Sequence, residues 1–441
     1  MVKVAAAIAS AACCDGGGTM TSVFDCIHQA KAAYRLLDCQ SVTHQSVLGG
    51  HFALVRRQLQ EPGVYLLIED STTVGLPGLA QAAGLGPIGK SSTRGFWLHS
   101  NLAVRWDEPS DSCDILGLLG QQAWARPPER PAGRPRSSGR GKESNSARQK
   151  RDDRESKRWA AALASLLPRE SLDSPAQYIY VADRESDIYE VILDCRSYGV
   201  QQVIRASHPR ALAGELAGTD LLSAVANAAV IGTMEAEISR ENRTAQVELR
   251  STSVELRGPP RPGGRLANVT VNVVQAQEIN PPEGCEAVSW ILLTTLPVQT
   301  LEQCRRVVNI YRRRWLIEEL HKGMKTGLRL EASQLSDLRR LSSLAAIISV
   351  SAIFLLQAKW QARTQGEKPL PPEEVTTPMV AILKRKYPPK EPLTYRWLWR
   401  SIAKLGGFPG RKGDGDPGWL TLWRGWRKLL LLVTGHELGR T

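Results

Sequence analysis

The chain has 441 residues and carries 57 Lys and Arg against 44 Asp and Glu, a formal net charge of +13. With 42% apolar residues and 12 Trp, it is neither a small disulfide scaffold nor an acidic disordered chain, and it has material for roughly two to four folded units. The excess charge calls for an anionic partner, nucleic acid or a membrane surface, without choosing between them.

The N-terminal run MVKVAAAIASAACC has the lysine and short apolar stretch of a signal peptide, but no clear mature start follows it. The eight cysteines, Cys13, Cys14, Cys26, Cys39, Cys113, Cys195, Cys285 and Cys304, contain no CxxC pair. They signal neither a zinc site nor a disulfide framework, and a reducing cytosol fits them.

The first strand is VYLLIED, ending at Asp70. Gly84 to Ser91 then spells a phosphate-loop string, GLGPIGKS. That loop needs a buried strand before it and a helix after it, whereas here GLPGLAQAA precedes and a strand follows, so the string reads as a connection between strands. Two more strands are FWLHSNLAVRW from Phe96 and DILGLLGQQAWAR from Asp114.

Residues Arg126 to Arg158 hold twelve basic and five acidic residues, a net of +7 in a Pro, Gly, Ser and Arg-rich stretch. Such a segment cannot bury a core and is expected as a mobile loop or arm. A helix over Trp159 to Leu167, the strand QYIYVAD ending at Asp183, the helix DIYEVILDCRSYG and the strand QQVIRAS ending at Ser207 complete a β-β-β-α-β-α-β order.

From His208 to Leu301 alternating apolar and polar runs, broken by GPPRPGG and NPPEG, predict an antiparallel β insert. A helix begins near Leu301. The longest apolar run, Leu344 to Leu356, is short of the ~20 residues of a membrane span and reads as a buried core helix. The remaining chain is helical and Trp-rich; Trp419, Trp423 and Trp426 form one stripe suited to packing or dimerisation.

Two acidic residues, Asp70 and Asp183, stand in the middle or at the end of apolar strands. A carboxylate there is costly to leave unpaired, and two in one sheet point to a cation between them. The competing reading is a helix N-cap or a salt-bridged edge, most naturally for Asp183 with Arg184 beside it. The helix YRRRWLIEELHKGMKTG adds a third carboxylate. At about 100° per residue Tyr311, Arg314, Glu318, Lys322 and Lys325 share one face, with Leu316, Ile317, Leu320 and Met324 opposite. A surface helix with a Glu318–Lys322 pair would look the same locally. Three carboxylates could clamp two divalent cations roughly 3.5 to 4 Å apart for phosphodiester displacement, with the cationic and phenolic groups gripping phosphates.

These residues, in LLIEDSTT, VADRESDI and YRRRWLIEELHKGMKTG, resemble the ribonuclease-H-like DDE transposases of bacterial insertion sequences, in the IS-four branch that includes the transposon-five enzyme. The signature Y-x2-R-x3-E-x6-K is met by Tyr311, Arg314, Glu318 and Lys325. EINPP from Glu278, WILLTTLPV, LGGF and W-x3-W-x2-W extend the resemblance in order along the chain.

The resemblance implies an α/β fold: a ribonuclease-H-like mixed sheet with an antiparallel β insert and a helical C-terminal region. Its units would be a truncated helical DNA-end-recognition region over 1–60, a catalytic core over 61–207 and 301–365, the insert over 208–300 and a dimerisation region over 366–441. It implies that Asp70, Asp183 and Glu318 are catalytic and bind two Mg2+, for which Mn2+ can substitute. Tyr311, Arg314, Lys322 and Lys325, with Arg205, His208 and Arg210 at a strand end, would contact DNA. Trp290 would receive a flipped base with Trp315 as its neighbour, unless Trp290 is an ordinary core residue.

The implied activity is cut-and-paste transposition: nicking that frees a 3′-OH, hairpin formation and opening, and strand transfer. The implied partners are transposon-end and target DNA and a second copy of the chain in a synaptic complex, with no membrane, in the bacterial cytoplasm at the nucleoid. Because the resemblance begins inside the end-recognition region, the alternative is a truncated, non-catalytic chain that binds DNA or dimerises and so inhibits an intact transposase.

Overall fold

The computed structural model describes residues 27–79, 82–89, 93–126, 159, 163, 175–238, 243–389, 392–411 and 413–439. The N-terminal run, Lys90 and Ser91, and the basic segment from 127 onward lie outside the described residues. Of the helix expected over Trp159 to Leu167, Trp159 and Leu163 are described; both are helical and buried.

Strand β1 (Gly63–Gly75) is apolar on both faces because both are covered. Leu66 and Ile68 enter one core cluster, Tyr65 and Leu67 the other. It pairs antiparallel with β2 (Arg94–Asp107), which pairs with β3 (Ser112–Trp124). On its other side it runs parallel to β4 (Ala176–Ala182), and β4 parallel to β5 (Gln201–Arg205). This is the mixed sheet that the ribonuclease-H-like resemblance implies.

The region after His208 is antiparallel, as its alternation predicts: β6 (Val230–Ile238), β7 (Arg243–Leu256), β8 (Val269–Glu278) and β9 (Ser289–Thr294). It is not a separate layer. Strand β9 pairs with β5 through Leu292↔Arg205 and Thr294↔Val203, so among the described residues one ten-stranded sheet runs in the order 86–87, β2, β1, β4, β5, β9, β8, β7, β6, with β3 on β2. The phosphate-loop string supplies the two-residue strand Gly86–Pro87 paired to the start of β2, and the next element among the described residues is β2 itself.

Helices α1 (Ile27–Asp38) and α2 (His44–Gln58) lie on the Leu66 face, and α3 (Tyr189–Ser197) and α4 (Leu221–Ala226) on the Leu67 face. The Leu66 face also receives α5 (Leu301–Arg312), α6 (Trp315–Lys322) and α7 (Leu338–Thr364). Helix α7 is longer than its apolar run suggests: at 27 residues it has the length and hydropathy to cross a membrane. However, 72% of its apolar window is buried inside the protein, the behaviour of a core helix.

The C-terminal region is helical: α8 (Pro372–Val375), α9 (Pro378–Lys386), α10 (Tyr395–Leu405) and α11 (Trp419–Leu438), with a core of its own around Leu383, Leu398, Ile402 and Leu429. Helices α10 and α11 cross at glycines. A Cβ on Gly425 would lie 1.7 Å from the Ile402 carbonyl oxygen, and one on Gly406 1.9 Å from that of Thr421. The Trp stripe packs inward: Trp419 and Trp423 are buried, and Trp426 stands against Phe354 and Trp399 at 4.7 and 6.2 Å between ring centroids. The exposed apolar residues of α11 are Leu430, Leu431, Leu432 and Leu438.

Candidate active site

Asp70 lies inside β1 rather than at its end, beside Ser100 of β2. The parallel pairing of β1 and β4 ends at Glu69↔Ala182, so the next residue on each strand is an aspartate, Asp70 beside Asp183. Strand β4 has stopped there. Asp183 caps the 3-10 turn Arg184–Ser186, its Oδ1 accepting the Glu185 N–H at 2.8 Å. The N-cap reading of Asp183 therefore holds, and the same side chain stands next to Asp70.

Asp70 is 8% exposed and accepts the Ser71 N–H at 2.8 Å. Burial, then the Asp183 carboxylate and more weakly Glu318, push its pKa up to about 8 against the pull of Arg314 and the Ser71 N–H. The three carboxylates thus share one electrostatic field. Glu318 is exposed and paired with Arg314. As placed, no group of three His, Cys, Asp or Glu side chains among the described residues could hold a metal ion. Asp70 and Asp183 stand side by side, and Glu318 is paired with Arg314.

The helix that carries Glu318 is not straight. Helix α5 ends at Arg312, α6 begins at Trp315, and a π turn, Gly323–Gly327, follows. The single face drawn from Tyr311 to Lys325 is therefore redistributed. Tyr311 is buried at 4% exposure, and burial raises its phenol pKa above the ordinary range. The Arg314 guanidinium lies 5.8 Å from the Tyr311 ring centroid, and Trp290 packs edge-on against the same ring at 5.3 Å. Lys322 is exposed; Lys325, in the π turn, pairs with Glu331 at 3.5 Å. Leu316, Ile317, Leu320 and Met324 are buried, as their spacing requires.

Other expected contacts are distributed differently. Arg205 donates to the Ser289 carbonyl at 2.9 Å and neighbours Tyr311, on the aromatic side of the site. His208 is exposed. Arg210 is engaged inside the protein: its Nε donates to Asp187 Oδ1 at 2.8 Å and its Nη2 to the Asp187 carbonyl at 2.7 Å, and the Asp187 side chain is fully buried. Trp315 has Trp360 at 6.5 Å and the Arg363 guanidinium at 5.8 Å as its ring partners.

Sequence reading passes over His321. It lies three residues after Glu318 and is 5% exposed, with Nδ1 3.8 Å from Asp70 Oδ2 and Nε2 3.2 Å from Ser100 Oγ. Gln121 Nε2 donates to Ser100 Oγ at 2.9 Å. Burial, then Lys325 and His99, push the His321 pKa down to about 3, so a neutral ring backs Asp70. The available signal was its position, one helical turn beyond Glu318.

Two family matches cover much of the chain. Residues 148–355 match a family described as the transposase DDE domain, and residues 363–441 one described as the transposase Tn5 dimerisation domain. The first span contains Asp183 and Glu318 but begins after Asp70. Asp70 joins them through the sheet register and the shared field.

Proposed function

Since the chain, with both of these domains, is a DDE transposase, we propose that it cuts DNA at the ends of a mobile element and joins the freed 3′-OH to target DNA. In this reading Asp70, Asp183 and Glu318 hold two divalent cations, Mg2+ with Mn2+ as a substitute. The observation that carries it is Asp70, buried in β1 beside Asp183 at the end of the β1–β4 pairing, where burial first and the Asp183 carboxylate second push its pKa up to about 8. Such a pocket is under-neutralised, and its all-oxygen donor set suits hard cations. When bound, the ions supply activation of the attacking oxygen and stabilisation of the leaving one.

The chain's own groups do the rest. Arg314 can turn its planar guanidinium from Glu318 to a phosphate, a bidentate partner of the same geometry. Lys322 and Lys325 extend the cationic surface along α6 and the π turn. Trp290, partly exposed against Tyr311, offers a ring on which an unpaired base can stack during hairpin formation. Residues 363–441, which match a dimerisation domain, would join the two copies that pair the DNA ends, and a DNA substrate fits a location at the nucleoid in the cytoplasm.

The test is cleavage of duplexes that end in candidate terminal inverted repeats. Nicking is expected with Mg2+ or Mn2+ and none with a chelator; nicking that persists in the chelator would overturn the metal reading. Binding is expected to weaken with salt. Lys322→Ala and Lys325→Ala should each flatten the slope of log K against log salt by about 1, as one phosphate contact is lost. Fluorescence anisotropy across a salt series measures this, and an unchanged slope removes that lysine from the DNA surface.

A further inference from the structure

Trp419, the first residue of α11, is buried against the helix that carries Glu318. Its indole N–H donates to Glu319 Oε2 at 3.2 Å. Lys359 of α7 pairs with the same oxygen, and its Nζ lies 5.4 Å from the Trp419 ring centroid. Glu319 is 7% exposed, a burial that an unpaired carboxylate would not tolerate. The indole also sits on the π turn: a Cβ on Gly323 would lie 2.7 Å from its Cη2 and Cζ3, and one on Gly327 3.0 Å from the Trp419 Cβ. The two glycines bracket Lys325.

We propose that Trp419 is a positioning residue for strand cleavage: by filling the glycine-lined side of the π turn and binding Glu319, it fixes where Glu318 and Lys325 point. The proposal rests on the roles given above to Glu318 and Lys325. A π turn carries an extra residue in its ring and is found mostly as a single turn at functional sites. Here its conformation is set from outside by an aromatic ring of the C-terminal region. That region is then part of the framework of the catalytic centre as well as a means of joining two copies, and any rearrangement that lifts the start of α11 releases the segment that carries Glu318.

The test uses the full chain with Gly323→Ala, Trp419→Phe and the two combined, beside wild type and Glu318→Ala. It reads single-turnover nicking with Mg2+, DNA affinity, oligomeric state, thermal unfolding and amide hydrogen exchange over residues 315–327. The added methyl of Gly323→Ala should lower nicking on the order of tenfold by misplacing the segment. DNA affinity and oligomeric state should stay within about twofold of wild type, and exchange should quicken over 315–327.

Trp419→Phe removes the outer indole atoms that the methyl meets but also the N–H that binds Glu319, so alone it should lower nicking and quicken exchange over 315–327, and in the double variant it should recover only part of the Gly323→Ala loss. Unchanged nicking in Gly323→Ala, or a loss that follows the fall in thermal stability and is not recovered by Trp419→Phe, would overturn the proposal. If wild type itself does not nick, the reading of the site fails on its own; exchange over 315–327 in Trp419→Phe still decides whether the indole holds that segment.

Discussion

Asp70→Asn is expected to reduce metal-dependent strand cleavage by on the order of 10³-fold or more, while making the metal-free protein more stable. The two effects have one cause. Asp70 is buried beside Asp183, and its pKa is raised from 3.8 to about 8. The folded chain therefore keeps a proton on Asp70 that the unfolded chain has lost between those two values. The sign follows: the native state binds more protons in that window, so stability falls as pH rises through it, by at most about 1.4 kcal/mol per pH unit from this group.

An amide carries no such cost. Thermal unfolding of wild type and Asp70→Asn in chelator at pH 5, 6, 7 and 8 should diverge, with the variant gaining as pH rises. Curves that run parallel would remove Asp70 from the buried acidic pocket. Activity lost together with stability would mean damage to the fold rather than loss of a ligand.

Arg210→Ala is expected to cost about 3 to 5 kcal/mol of stability with little direct effect on DNA contact. Its guanidinium is the cationic partner of Asp187, whose carboxylate also accepts the backbone N–H of Ser207 at 2.7 Å and of His208 at 3.2 Å. Removing Arg210 leaves that buried charge with neutral donors alone. Denaturant unfolding measures the loss. Asp187→Asn combined with Arg210→Ala should recover part of it, since neither side chain then carries a charge. A variant of normal stability whose DNA affinity alone falls would return Arg210 to the DNA surface.

Much of this was legible in the sequence because strands with two buried faces are written as apolar runs, and a charge that interrupts such a run needs an explanation. The β1 and β4 runs placed Asp70 and Asp183 in one sheet, and the spacing of Leu316, Ile317, Leu320 and Met324 fixed the buried side of the Glu318 helix. What was not legible depended on tertiary geometry. A straight helical projection cannot contain the break at Arg313 and Arg314 or the π turn after Lys322, and so it set Tyr311 on an open face that the structure buries. Composition does not distinguish an arginine that reaches solvent from one such as Arg210 that closes on a buried aspartate. The stripe of Trp419, Trp423 and Trp426 was compatible with packing or dimerisation, and only the glycines opposite Trp419 decide where its first member goes.

The joining of β9 to β5 bears on how the chain can be taken apart. Because Leu292 to Thr294 cover the edge of the parallel strands, residues 208–300 are not a cassette that can be excised. Deleting them would bare the backbone donors and acceptors of β5 in the middle of a twisted sheet, a template for association with other chains. Chimaeras between relatives would be better cut before β5 or after β9, so that the seam between β5 and β9 stays within one parent.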